Sequence, residues 1–358
     1  MKKTTLPLGP QHPVLPEPLS FDLVLENEKV IEAVPSIGYI HRGLELLAPK
    51  KEFTDYVYVA ERICGICSFI HGMGFCQAVE EIMKIEIPDR AAYLRVYWGE
   101  LSRLHSHLLW LGLAADAFGF ENLFMQTWRL RERVLNIFEK TTGGRVIFSV
   151  CKVGGIKKNI TDSELKALQS ELDSLSGEIK EISDVFLNDS SIKNRLCGIG
   201  PLSREDAWHL GAVGPVLRAS GVSEDNRKLG YAKYGELEFE PIVEKDGDCY
   251  ARCKVRIREM FQSLDLMRQV VSRIKGDAID TKVTGLPCGE SFLRLEQPRG
   301  EVFYYVKGNG TRFLERFRAR TPTFANIAPA LEMLKGSELA DVPSILLSID
   351  PCISCTER

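Results

Sequence analysis

Two Cys-x-x-Cys pairs stand near opposite ends of the chain, Cys64-Gly65-Ile66-Cys67 and Cys352-Ile353-Ser354-Cys355. A tight turn at this spacing brings both sulfurs to one side, so each pair can aim two thiolates at one centre. Together the pairs offer four soft ligands, which suit zinc, an iron–sulfur cluster, or a nickel or copper site. A small zinc ribbon keeps its pairs close in sequence, whereas nearly the whole chain separates these two. A metal held by both would join the first and last parts of one folded body and lie inside it. The other six cysteines, Cys76, Cys151, Cys197, Cys249, Cys253 and Cys288, lack convincing ligand spacing. Cys249 and Cys253 are one helical turn apart, and Cys76 reads as a small buried apolar residue.

Other groups with chemistry lie around the first pair. Read as one helix from Cys64 to Met83, the segment puts Cys64, Cys67 and His71 on one face, at i, i+3 and i+7. From there His71 can hydrogen-bond a metal-bound sulfur and tune it. His105 and His107 are two residues apart on another expected helix, point to different sides, and read as structural.

The elements that must position these groups follow from periodicity. Phe21–Glu26 and Lys29–Val34 read as strands joined at Asn27-Glu28, after Pro-rich turns. Residues 89–118 and 121–141 read as long helices, the first capped by Asp89, with Gly143-Gly144-Arg145 as a turn. Thr161 and Glu164 form a capping-box pattern at the start of a helix over 161–187. Lys193 to Tyr234 is Gly-rich and reads as loop, Arg252–Ile274 as helix, and Val302–Val306 as strand. The expected fold is mainly α with β elements (α+β). It is one domain built on a central helix bundle, because the two cysteine pairs must meet. Within it, 1–60 is a β/loop region, 61–280 the helical body, and 281–358 a mixed region carrying the second pair.

Composition narrows the class. The formal charge of −3 is close to balance and no basic stretch tracks a phosphate backbone, so no nucleic-acid partner is expected. Ten cysteines without an apolar leader after Met1 favour metal-bound thiolates in a reducing cytoplasm over a secreted disulfide framework. The most apolar run, Leu108 to Phe120, is short and contains Asp116. Any membrane link is thus expected through partner subunits.

Arg62-Ile63-Cys64-Gly65-Ile66-Cys67 with His71, and Asp350-Pro351-Cys352-Ile353-Ser354-Cys355, resemble the two signatures of the [NiFe]-hydrogenase large subunit. Gly9-Pro10-Gln11-His12-Pro13, His41-Arg42-Gly43-Leu44-Glu45, Gly214 to Gly221 and Gly247 to Arg252 resemble a narrower branch. That branch is the group 4, membrane-bound energy-converting (Ech-type) hydrogenases, related to the 49 kDa quinone-site subunit of complex I. The end in Arg358 also fits it.

The resemblance implies the reaction 2H⁺ + 2e⁻ ⇌ H₂ at a Ni–Fe(CN)₂(CO) centre. Cys64 and Cys352 would bind nickel terminally, and Cys67 and Cys355 would also bridge to iron. Glu17, in Leu15-Pro16-Glu17-Pro18, would pass protons between Cys352 and the surface, using a carboxyl raised by burial. Pro298 and Arg299 would lie over the iron, with Arg299 holding its cyanides and Asp350 orienting that Arg. Many relatives hold magnesium between the Glu of the His-Arg-Gly motif and a terminal His. Here the terminal residue is Arg358, so Mg is not carried over and a Glu45–Arg358 ion pair is expected in its place.

The implied partners are a small subunit with a [4Fe-4S] cluster, a ferredoxin-like iron–sulfur subunit, soluble ferredoxin, and integral membrane subunits that move H⁺ or Na⁺. No iron–sulfur cluster is expected in this chain itself. The chain would sit peripherally on the cytoplasmic side of the membrane. Competing readings are a non-catalytic complex I-like quinone-site or scaffold subunit, a four-thiolate zinc scaffold, and a formate- or CO-linked hydrogenase.

Overall fold

A computed structural model describes residues 3–358 apart from positions 14 and 16. The leader reading at Met1 and Lys2, and Pro16 beside Glu17, lie outside the described residues. The chain starts with an antiparallel sheet of β1 (Thr4–Leu8), β2 (Ser20–Glu26) and β3 (Lys29–Ser36), ordered β1-β2-β3. β1 falls where turns were expected. Phe21, Leu23 and Leu25 alternate inward along β2. Asn27 and Glu28 both take positive φ, the conformation that a two-residue hairpin turn demands.

A 3₁₀ turn over Leu44–Lys50 leads to α1 (Phe53–Glu61) and α2 (Ser68–Met83). Next come α3 (Asp89–Ala117) and α4 (Glu121–Thr142), both within a residue of expectation. Asp89 does not cap α3. Pro88 occupies the cap position, and Asp89 pairs with Lys233 at 2.9 Å. α3 is buried on nearly every side, as befits the central rod of a bundle. It packs on α4 and on α9 (below).

A short hairpin, β4 (Cys151–Lys152) and β5 (Gly155–Ile156), precedes α5 (Asp162–Asn188). The expected capping box is present in both directions between Thr161 and Glu164. Leu165, Leu168, Leu172, Leu175, Ile179 and Ile182 form its buried stripe.

A short helix, α6 (Ser190–Leu196), runs into the stretch read as loop, which contains two more, α7 (Arg204–His209) and α8 (Gly214–Ala219). Asp189 and Ser203 cap the first two through side-chain oxygens, local signals that the glycines masked. α9 (Cys249–Arg273) is capped by Asp248, which accepts the Ala251 N–H at 2.7 Å. A meander of β6 (Cys288–Gln297), β7 (Gly300–Asn309) and β8 (Leu314–Arg320) lays one face on α2. α10 (Pro322–Leu334), α11 (Val342–Ser348) and α12 (Ile353–Glu357) complete the chain. The result is the α+β mixture expected, with helices dominant. Among the described residues no helix is long and apolar enough to cross a membrane.

A lattice of charge fills the space between α3, α8, α9 and β6. Arg218 donates to Glu259 at 3.0 and 2.7 Å and to Glu296 at 2.7 Å. Arg227 donates to Asp225 at 2.7 Å, to Glu100 at 3.2 Å and to Gln262 at 2.8 Å. Arg103 holds the carbonyls of Glu296 and Gln297 at 2.9 and 3.1 Å. Arg103, Arg218, Arg227, Glu100 and Glu259 are wholly or almost wholly buried. The lattice grips the end of β6 from behind, immediately before Pro298-Arg299.

Candidate metal centre

The first cysteine pair sits in the turn between α1 and α2, not on a helix. α2 begins at Ser68, so the expected helix from Cys64 starts four residues too early. The reason is local: Cys64 Sγ accepts the N–H groups of Ile66 (3.3 Å) and Cys67 (3.5 Å), curling the chain into a loop around the sulfur. His71, one turn into α2, turns its ring to the second pair, at Cys355. In the second pair Cys352 caps α12 and Cys355 lies within that helix. There Asp350 takes a positive φ of 56°, Thr323 Oγ1 receives the Cys352 N–H at 3.1 Å, and Thr321 Oγ1 donates to Cys355 O at 3.1 Å.

The four sulfurs converge. Cys64 Sγ is 3.2 Å from Cys352 Sγ, and Cys67 Sγ is 3.4 Å from Cys355 Sγ. Cys64, Cys67 and Cys355 place their sulfurs within 4.8 Å of one another, and all four cysteines are buried. Such sulfurs cannot all ionise unaided. Hydrogen bonds from Cys352, Cys355 and Cys67, with Arg299 nearby, draw Cys64 well below the usual thiol range. Burial pushes Cys67 and Cys355 well above it. A cation bound among them reverses that balance and holds all four as thiolates.

Arg299 meets Asp350 from the tip of the β6–β7 hairpin. Gln297 pairs with Gly300 across the hairpin, so Pro298 and Arg299 form its two-residue tip. Gly214, at φ +64°, lets the α8 entry press against that tip; a Cβ there would lie 2.4 Å from Arg299 O. Arg299 donates from Nε to Asp350 O and from one Nη to Asp350 Oδ1, both at 2.9 Å. Burial opposes its charge, but Asp350 and the sulfurs of Cys352, Cys64 and Cys67 outweigh burial and keep it cationic. Its other Nη, and Asp350 Oδ2, are buried with no protein partner among the described residues.

Glu17 touches the second cysteine loop. Its Oε2 accepts the N–H groups of Ile353 and, at 2.9 Å, Ser354, while the Ser354 hydroxyl donates to Oε1. It is half-buried. With Gln11, His12, Pro13, Leu15 and Pro18 it lines a surface pocket of about 460 Å³. Glu45 and Arg358 meet as expected, Nε to Oε1 at 2.6 Å, with Arg318 and the Ala319 N–H on the same carboxylate. Burial works against the Glu45 charge, but these partners hold its pKa below the usual carboxylate range.

His71 Nε2 is 3.4 Å from Cys355 Sγ. Burial pushes its pKa down to about 4, so the ring is neutral. His105 and His107 point apart, to Arg131 (2.8 Å) and Glu259 (2.9 Å), and take no part in the cluster. Cys76, Cys249 and Cys253 are buried elsewhere in the core.

Several residues here carried no individual signal. Arg42 donates to the carbonyls of Arg62 (2.8 Å), Ile63 (2.9 Å) and Ser354 (3.0 Å), and so clasps both cysteine loops. The Glu357 carboxylate receives the Gly38 and Ile40 N–H groups at 2.5 and 2.6 Å, and His41 Nδ1 meets Glu357 O at 2.5 Å. The His41-Arg42-Gly43 motif marked the place. The partners, more than 300 positions away, left no mark in sequence.

Comparison with known proteins gives two family matches. Residues 118–287 and 278–358 match the family described as respiratory-chain NADH dehydrogenase, 49 Kd subunit, and residues 42–114 match nickel-dependent hydrogenase. Membrane-bound hydrogenase subunit alpha of Pyrococcus furiosus is 38% identical, with 99% of this chain and 87% of that protein covered. Carbon monoxide-induced hydrogenase of Rhodospirillum rubrum is 37% identical over the full length of both. A solved chain of the membrane-bound sulfane sulfur reductase, an archaeal respiratory membrane complex, superposes with a TM-score of 0.94 at 30% identity, covering 99% of this chain and 98% of that one.

Proposed function

This chain belongs to the family of [NiFe]-hydrogenase large subunits and respiratory 49 kDa subunits, and from that premise we propose that it is the catalytic subunit of a membrane-associated, energy-converting hydrogenase, an oxidoreductase interconverting 2H⁺ + 2e⁻ and H₂. One observation carries the reading: four buried cysteine sulfurs from opposite ends of the chain meet as two close pairs. The respiratory branch of the family has no need of such a set.

The donor set fits a nickel–iron group. Cys64, Cys67, Cys352 and Cys355 would hold it, and the partnerless Nη of Arg299 would face anionic cyanide ligands on iron. A closed four-thiolate zinc site would use neither that donor nor Glu17. When bound, such a group supplies soft-ligand redox chemistry and an open coordination position for hydrogen. Arg299, tied twice to Asp350, would orient it and keep the pocket cationic. Glu17 bridges the backbone beside Cys352 to the surface pocket, which suits it to carry protons between that sulfur and solvent. The Glu45–Arg358 pair would serve in place of a third metal ion.

Electrons would enter through a small subunit carrying a [4Fe-4S] cluster and a ferredoxin-like subunit, with soluble ferredoxin as donor. Integral membrane partners would move H⁺ or Na⁺, with this chain peripheral on the cytoplasmic side and acting as one domain. The match to the carbon monoxide-induced enzyme keeps a CO-linked complex as the nearest variant.

A second reading, a complex I-like quinone-site subunit without catalytic metal, draws on the 49 Kd family match over most of the chain. Infrared spectra with metal analysis on the purified native complex separate the two. Iron-bound CO and CN⁻ bands with about one nickel per chain are expected for a single thiolate-bound site. Their absence from fully assembled complex would reject the hydrogenase.

A further inference from the structure

Three buried groups meet the His71 ring. Nε2 lies 3.4 Å from Cys355 Sγ and 3.2 Å from the side-chain nitrogen of Gln297, and Nδ1 lies 2.8 Å from the Tyr304 hydroxyl. All four side chains are buried, and Gln297 Oε1 has no protein partner among the described residues. Which ring nitrogen carries the proton decides what His71 does to the sulfur.

A metal-bound Cys355 thiolate has no proton to give. A bare Nε2 would set its lone pair against those of sulfur, whereas Nε2–H donates to them. Nδ1 is then an acceptor, and the Tyr304 hydroxyl is placed to donate to it. Ile70 O, another acceptor near that hydroxyl, is 3.5 Å away and lies within α2, and the Gln297 side chain also hydrogen-bonds Tyr304. Tyr304 cannot drift, because it is wholly buried on β7 and meets the His71 ring edge-on at 6.0 Å between centroids. An amide NH₂ cannot face Nε2–H. The end of an amide is assigned from its hydrogen bonds, so an Nε2–H requires the Gln297 amide the other way round, with its carbonyl Oε1 sharing that N–H with Cys355 Sγ. Arg103, holding Gln297 O, keeps the residue in place.

We propose that Tyr304 and Gln297 are positioning residues that lock His71 as the Nε2–H tautomer, so that it donates a hydrogen bond to the Cys355 thiolate. This rests on the reading of the four cysteines as metal ligands. Through that bond a tyrosine on the meander sets the electron density on a sulfur of the centre without touching it.

The test uses the full chain labelled with [¹⁵N]histidine and loaded with zinc(II), which holds the sulfurs as thiolates whether or not nickel and iron are its natural cargo. Six histidines keep the spectrum tractable, and the His71 signals are those lost in His71→Gln. The wild-type chain should show a protonated Nε2 and a bare Nδ1, and Tyr304→Phe should show a mixture of tautomers. A protonated Nδ1 in the wild type overturns the proposal, and so does a Tyr304→Phe spectrum identical to it. The wild-type spectrum decides alone if Tyr304→Phe does not fold. In the native complex, Tyr304→Phe should shift the iron-carbonyl infrared band at unchanged nickel content, and an unshifted band would also overturn it. Missing carbonyl bands in the wild type would instead count against the hydrogenase reading and leave the nitrogen result standing.

Discussion

The sulfur centre and the charge lattice behind it are equally buried, but one is open and the other closed. In the lattice, Arg218 and Arg227 place every guanidinium nitrogen on an acceptor, and their carboxylates are shared among helices α3, α8 and α9 and strand β6. At the centre, one Arg299 nitrogen and one Asp350 oxygen have no protein partner among the described residues. The thiols beside them hold one another off their usual acidities. A buried polar group without a partner costs about 1–3 kcal/mol. Such groups occur elsewhere in the core as well, Arg103 Nε in the lattice among them, but only at the centre do they stand beside four converging thiols, where a bound group could use them.

Substitutions can break that contrast. The largest effect is expected from Cys352→Ser or Cys64→Ser. Either should abolish bound nickel and hydrogen turnover while leaving the far-ultraviolet circular dichroism unchanged; a variant that retains stoichiometric nickel would show that the four sulfurs are not a unit. In the lattice the pattern should invert. Arg218→Met leaves Glu259 and Glu296 buried without their cation and should cost about 3–5 kcal/mol, read as a large fall in the thermal midpoint. If Arg218→Met folds normally and loses only activity, the lattice is part of the chemistry and the comparison fails.

Glu17→Gln sharpens the contrast from the rim. It keeps an acceptor for Ser354 but cannot carry a proton, so turnover should drop by about 10²–10⁴ with nickel content and infrared bands intact. An unchanged rate would move the proton route elsewhere. The smallest effect belongs to Glu45. Its folded pKa is depressed, so its contribution to stability is complete above the ordinary glutamate value of 4.5 and fades as pH falls through the folded value. Thermal midpoints measured across that range should converge for wild type and Glu45→Gln at the acid end and separate above it.

The open region was the more legible of the two in sequence. Its cysteines announced themselves by type and spacing, Arg299, Asp350 and the Glu45–Arg358 pair came through the family resemblance, and strands β2 and β3 and the α5 capping box followed from local pattern. The start of α2 did not, because a thiol accepting backbone N–H groups wins over helical periodicity at Cys64. Asp89 looked like a cap, but Pro88 holds that position and leaves Asp89 an ion pair with Lys233. The lattice was invisible. Glu100, Arg103, Arg227 and Glu259 read one at a time as charges bound for water, and only the fold turns them toward each other. Tyr304 looked like an ordinary strand residue for the same reason.

The clasp of Arg42, Glu17 and Glu45 on the last eight residues bears on entropy as well as shape. Cys64 and Cys352 are 288 positions apart. Bringing ends that distant together in a flexible chain costs on the order of 5 kcal/mol of loop entropy. The first pair, held in its turn by Cys64 alone, needs no such closure. Half of the centre is therefore local to one turn and carries no closure cost. The far pair carries all of it, and the contacts of Arg42, Glu17 and Glu45 are what offset that entropy and seal a two-sulfur turn into a buried four-sulfur site.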